Sequence, residues 1–299
     1  MIRNRPHGRF GIATRFSTPT QAPVFWTVSI LAVIQLGLAA LVHGQDEPDG
    51  DEAHEREELG VNPYTAPSIG HVFEQLDKLR PLPFEQLRRP LPDKAGRSRA
   101  EKALIFGELI GDGFLLVEAE RKNLIEDLGR VLLRQARALG VAERVTRHNA
   151  SLTELARRGE WRAVRQELIA TQADVEEAMI QLRDETIAHL ISLGGWLRGL
   201  EIGAGATAAN FSAQRAKELV QPELLDYFAG ELKTLPPPLA HTALIERIRV
   251  GVAAIQSRLT QSPGELTRAD IEAVRTQAAE LNNAIRELHE GAAAGTADR

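Results

Sequence analysis

No cysteine occurs among the 299 residues. That absence excludes disulfides, thiolate nucleophiles, iron–sulfur clusters, cysteine-ligated zinc and covalent c-type haem. It assigns no redox compartment; it says only that the fold does not lean on cysteine. Aromatic residues are scarce, at 5%. No run alternates Val, Ile, Thr, Tyr or Phe as a half-buried strand requires. Proline is missing between Asp93 and Gln221, so nothing covalent stops a helix there. A basic excess is missing too. The formal net charge is −5, and phosphate binding needs a basic face, so nucleic acid is not an expected partner.

What is present suits helices. Apolar residues make up 43%, enough for a packed core. Ala, Leu, Glu, Arg and Gln are abundant, and these side chains lose little rotamer freedom in a helix.

The charge is unevenly spread. Arg3, Arg5, Arg9 and Arg15 precede residues 24–42, VFWTVSILAVIQLGLAALV, which carry no charge. Residues 45–58, QDEPDGDEAHEREE, hold eight acids against Arg56. An apolar stretch of that length, basic before and acidic after, keeps its N-terminus on the cytoplasmic side while the rest crosses. Val42-His43-Gly44 offers small residues at a cleavage site, with Gln45 as the new N-terminus. Residues 1–44 are therefore expected to be a signal peptide, or else an uncleaved single-span anchor. Export makes the periplasm or another extracytoplasmic space the expected location, with membrane contact through this segment only. The acid-free start also has the Arg/Ser/Thr bias of a transit peptide. Residues 45–59 read as an acidic, solvated, disordered spacer.

Residues 60–97 form a proline-dense strap containing one short helix, capped by Ser68 and carrying Phe73, Leu76 and Leu79. Two copies of Arg-Pro-Leu-Pro, at 80–83 and 89–92, suit extended segments that pin Leu82, Phe84 and Leu87 across a bundle. Residues 98–290 then read as the bundle domain, and 291–299 as a disordered tail. Ser98 and Glu101 make a capping box. A stripe from Ala103 to Gln135 predicts one long helix ended by Gly140. A second runs over 142–158 and stops at Gly159. A third is expected from Glu160, with a three-and-four stripe reaching Leu200. Glu118/Lys122, Glu126/Arg130, Glu143/Arg147 and Glu154/Arg158 fall in the favourable helical order and mark exposed faces. Ser212 and Pro222 start a shorter pair, ended by Pro236-Pro237-Pro238. The last two helices are expected over 239–259 and 267–290, with a capping box at Ser262–Glu265 between them. The fold class is all-α: an antiparallel bundle of about five to seven long helices.

Candidate sites are few. Gly107 and Gly111 on the first long helix, and Gly195, Gly199 and Gly203 on the third, recur four apart. Such glycines bare backbone and allow a close helix crossing. Residues 203–208 resemble a dinucleotide fingerprint only superficially, because no strand precedes them. Glu185 and His189 sit four apart and are weak metal candidates, since the paired Glu-x-x-His plan of diiron bundles is missing. Glu108 and Asp112 interrupt an apolar run, FGELIGDGFLL, and acids buried there would be perturbed. Trp196, Tyr227 and Phe228 are the aromatics that would line a ligand pocket. No cofactor is expected. The expected function is that of a non-enzymatic, exported helical-bundle protein of the cell envelope, acting through helix-mediated contacts with a protein partner or with itself. The alternatives are a ligand-binding or sensor domain with a pocket near Trp196, and, more weakly, a metal-assisted enzyme.

Overall fold

The computed structural model describes residues 68–260 and 266–287. The export segment 1–44, the acidic spacer, the start of the strap, the Ser262–Glu265 capping box and the tail lie outside the described residues. Every regular element among the described residues is helical. In chain order these are α1 (Ile69–Lys78), α2 (Phe84–Leu87), α3 (Arg99–Glu118), α4 (Lys122–Leu139), α5 (Ala142–Arg158), α6 (Trp161–Gln181), α7 (Glu185–Ala209), α8 (Ala213–Lys217), α9 (Pro222–Thr234), α10 (Pro237–Ala240), α11 (Ala243–Thr260) and α12 (Arg268–Glu287). No described helix is long and apolar enough to cross a membrane.

The starts follow the capping chemistry. Ser68 Oγ accepts the Gly70 N–H, Ser98 Oγ accepts the Glu101 N–H, and Ser212 Oγ accepts the Arg215 N–H. Glu101 reaches back to the Arg97 N–H, one residue before the cap. Thr267 and Asp270 exchange side-chain and backbone bonds at the head of α12, so its box is built from those two residues.

Two long helices expected from sequence are each broken in half. The stripe over 98–139 divides into α3 and α4 at residues 119–121, and the run from Glu160 divides into α6 and α7 at residues 182–184. The breaks use neither glycine nor proline. Glu120 and Arg183 take left-handed backbone, with φ of 53° and 56°. Arg121 N–H then bonds Leu116 O while Glu120 N–H bonds Val117 O, and Asp184 and Arg183 repeat the pattern on Met179 and Ile180. That 6→1 and 5→2 pairing is the same motif that Gly140 and Gly159 make at the ends of α4 and α5. A left-handed non-glycine costs roughly 1–2 kcal/mol. An unbroken helix over 98–139 would run roughly 60 Å, about twice a small domain's width. Folding it back lets both halves bury their stripes, and that burial outweighs the turn.

The ion pairs shift accordingly. Glu118 now closes α3 and pairs with Arg80 rather than Lys122, and Arg130 pairs with Asp127 rather than Glu126. The final pair also changes: α11 begins at Ala243, and Pro237–Ala240 forms its own turn.

α7 is the axis of the core. It packs on α3, α12, α6 and α1, and it is buried along nearly its whole length. A helix apolar on every side belongs inside, and its sequence from Ile187 to Ala208 is of that kind. α3 is buried in the same way. The glycines lie where backbones meet. A Cβ on Gly107 would run into the Ile191 carbonyl and lie 2.6 Å from Gly195 N, while one on Gly194 would run into the Leu104 carbonyl. Gly199 faces Val72 of α1 instead, and Gly203 faces Leu219 together with Leu76 and Leu79.

The strap is held by its carbonyls. Prolines remove N–H donors, so the segment's remaining backbone acceptors need donors from elsewhere. Arg198 bonds Leu87 O, Arg286 bonds Pro90 O, Arg134 bonds Pro92 O, and Gln135 bonds Lys94 O.

Candidate functional site

Glu108 and Asp112 are buried, and three arginines surround them. They stand one turn apart on α3, Arg198 and Glu201 one turn apart on α7, and Asn282 and Arg286 one turn apart on α12. Three- and four-residue steps put each pair on one helix face. Arg89, from the second Arg-Pro-Leu-Pro copy, enters from the strap. Arg198 Nε donates to Asp112 Oδ1 at 2.7 Å, and Arg198 Nη1 faces Glu201 Oε2 at 2.8 Å. Arg286 bridges Glu108 at 2.8 Å and Asp112 at 2.9 Å. Arg89 lies 3.1 Å from Glu108 and 3.2 Å from Asp112. Asn282 Nδ2 donates to Glu201 at 2.7 Å. Gly111 makes room for the guanidinium that completes this, since a Cβ there would sit 2.9 Å from Arg198 Cγ.

Three guanidinium groups thus balance three carboxylates inside the protein, and the two acids on α3 respond differently. Burial alone would raise Asp112; Arg89, Arg198 and Arg286 outweigh it and hold the carboxyl well below the usual range. Burial wins at Glu108 and raises its pKa despite Arg89 and Arg286. The contrast follows the geometry, because Glu108 Oε1 is buried with no hydrogen-bond partner. Removing one member of such a network costs about 3–5 kcal/mol, since the rest stay buried and unmatched. The network fixes the register of α3, α7, α12 and the strap. Among the described residues no group of three or more His, Asp and Glu is placed to hold an ion.

A cavity of about 420 Å³ adjoins the network, between the strap and the α3–α4 hairpin. Leu91, Leu115, Leu116, Leu124 and Val131 supply apolar wall, and Arg88, Arg89, Arg130 and Arg134 supply cationic edge. Asp93, Asp112 and Asp127 also line it. Volumes of about 300–1,000 Å³ are the usual range for small-molecule sites.

No family model, no curated protein and no solved structure matches this chain.

The aromatic candidates do meet one another. Trp196 and Phe228 have ring centroids 5.0 Å apart, and Tyr227 meets Phe228 edge-on at 5.2 Å. The crevice touching Trp196 measures only about 20 Å³, room for roughly one water. His189 is engaged on both ring nitrogens: Nδ1 bonds the Tyr227 hydroxyl, and Nε2 lies 3.7 Å from Glu231. Burial lowers its pKa against the pull of Glu231 and Glu185. Beside this group, Glu176 Oε1 accepts from Gln172 at 2.7 Å and from Ser192 at 3.1 Å. Burial pushes the Glu176 carboxyl up to about 8 against those two bonds. A further histidine, His148, sits between Glu167 at 2.7 Å and Asp174 at 2.9 Å and ties α5 to α6.

Arg89, Arg198, Arg286, Arg134 and Glu176 are the residues that sequence reasoning did not select. A signal existed for one of them. Arg198 and Glu201 interrupt one apolar run as Glu108 and Asp112 interrupt another, and charges inside two apolar helices need each other. Arg89 and Arg286 carry no such mark, because their neighbours in sequence are polar or proline.

Proposed function

We propose that this chain is an exported, non-enzymatic helical binding protein whose ligand seat is the cavity between the strap and the α3–α4 hairpin. The carrying observation is that cavity, about 420 Å³, with apolar wall and arginine edge against an ion-paired scaffold. A site works when rigid elements hold its walls, and four side-chain bonds to strap carbonyls do this here. The seat is placed there rather than beside Trp196, Tyr227 and Phe228 because of volume. Export rests on residues 1–44. The reading through helix-mediated contacts with a protein partner has less to draw on. Among the described residues the large apolar side chains most open to solvent are Leu182, in the turn between α6 and α7, and Val250 on α11, and scattered single residues of this kind are ordinary surface.

The test is a thermal-shift screen with small molecules of differing charge, run on the wild type and on Leu124→Trp. Leu124 lines the cavity and is only partly buried, so tryptophan fills the space without disturbing the deep core. Binding that raises the melting temperature of the wild type and vanishes in the variant supports the reading. Hits that bind both proteins equally would place the site elsewhere. N-terminal sequencing of native protein should begin at Gln45; a sequence reading through residues 24–42 would make that segment an anchor.

A further inference from the structure

The four arginines of the strap cavity are not equivalent. Arg88 pairs with Glu85, Arg130 pairs with Asp127, and Arg89 lies among Glu108, Asp112 and Glu201. Arg134 has no such match. It donates to the Pro92 carbonyl, its Nε is buried without a hydrogen-bond partner, and no carboxylate among the described residues lies within ion-pairing reach. A guanidinium offers five N–H donors in a planar fork that fits a carboxylate with two parallel bonds. Arg134 therefore brings charge and donor capacity into the cavity that the described residues leave unused. Val131, one turn earlier on α4, continues from it into the apolar wall.

We propose that the seat takes an amphipathic carboxylate, its head group on Arg134 and its alkyl or aryl body along Leu115, Leu116, Leu124 and Val131. This rests on the reading of the cavity as the ligand site. The volume of about 420 Å³ sits at the small end of ligand pockets. It suits a single short chain rather than a two-chain lipid. Asp93, Asp112 and Asp127 also line the cavity and oppose an anion near them, which leaves Arg134, the one lining arginine without a carboxylate partner among the described residues, as the anchor.

Isothermal titration of the full chain with octanoate, octanol and octylamine separates head group from body. Octanoate should bind at least about tenfold more tightly than octanol, and octylamine more weakly than either. Hydrogen bonds to a charged group are strong enough that Arg134→Met should lower octanoate affinity by about ten- to a hundredfold, leaving octanol binding unchanged. Arg134→Lys, which keeps the charge and loses the fork, should fall between. Equal affinity for octanoate and octanol overturns the carboxylate assignment, as does an Arg134→Met variant that binds octanoate normally. If Leu124→Trp abolishes binding of both ligands in either of those cases, the cavity reading stands and only the anion is lost. If octanoate does not bind, the carboxylate proposal falls. The cavity reading falls with it only when the wider screen also yields no ligand sensitive to Leu124→Trp.

Discussion

Replacing Glu176 with glutamine should make the protein more stable above pH 8 and leave it nearly unchanged at pH 4. Both bonds to this carboxyl, from Gln172 and Ser192, end on Oε1. A glutamine oxygen accepts them equally well, so the substitution removes the titration and keeps the geometry. Burial raises the folded-state pKa from 4.5 to about 8. Between those values the unfolded chain releases a proton that the folded protein keeps. The stability tied to the protonated group is therefore complete below about pH 4.5 and drains as pH climbs toward about 8. At 1.36 kcal/mol per pKa unit the loss has a ceiling of about 4–5 kcal/mol. Part of Glu176 reaches the surface, and solvent tempers the effect, so a gain of about 2–3 kcal/mol is expected for Glu176→Gln at pH 9. For a domain of this size that is roughly 5–10 °C in Tm. Thermal or urea denaturation of both proteins at pH 4, 6, 7.5 and 9 measures the difference. Titration of other groups largely cancels between them. Parallel pH profiles, with a constant offset or none, would refute the account of a carboxyl held protonated by burial.

Five other substitutions probe the scaffold. Asp112→Asn should cost about 3–5 kcal/mol by urea unfolding at neutral pH, since Arg198 and Arg286 lose a buried counter-charge. Because the folded Asp112 pKa is depressed, that cost should shrink as pH falls below the ordinary aspartate range. Gly107→Ala should be far more damaging than Gly199→Ala in thermal melts, because the first methyl meets the Ile191 backbone and the second meets a Val72 side chain that can turn. Equal losses would contradict the direct contact of α3 and α7 backbones. Arg183→Gly should stabilise by about 0.5–1 kcal/mol, since glycine relieves the left-handed strain at φ 56°, whereas Gly140→Ala should destabilise by a similar amount.

Much of the architecture is local in origin and could be read along the chain. The caps at Ser68, Ser98 and Ser212, the stops at Gly140 and Gly159 and the proline start at Pro222 depend on a few neighbouring residues, and all appear where sequence chemistry puts them. The glycines at 107, 111 and 195 announced a close crossing because a missing side chain is visible in sequence. What covers Gly199 and Gly203 was not visible, since Val72, Leu76 and Leu219 lie on other segments of the chain.

The sequence by itself determined that the described residues fold as helices and that charged groups sit inside two of the most apolar ones. Tertiary structure alone decided where the long stripes break. Glu120 and Arg183 have no intrinsic preference for left-handed backbone; they adopt it because two packed half-helices bury more apolar surface than one long helix could. Tertiary structure also decided the charge matching. Arg89 lies in the strap and Asp112, Arg198 and Arg286 on three separate helices, and no local rule links residues that far apart. Each carries a charge that is costly to bury alone, so the partnership exists only once the strap, α3, α7 and α12 are assembled. The cavity edged by Arg134 exists for the same reason: its walls come from the strap and the α3–α4 hairpin, and they face each other only after the chain has turned back at Glu120.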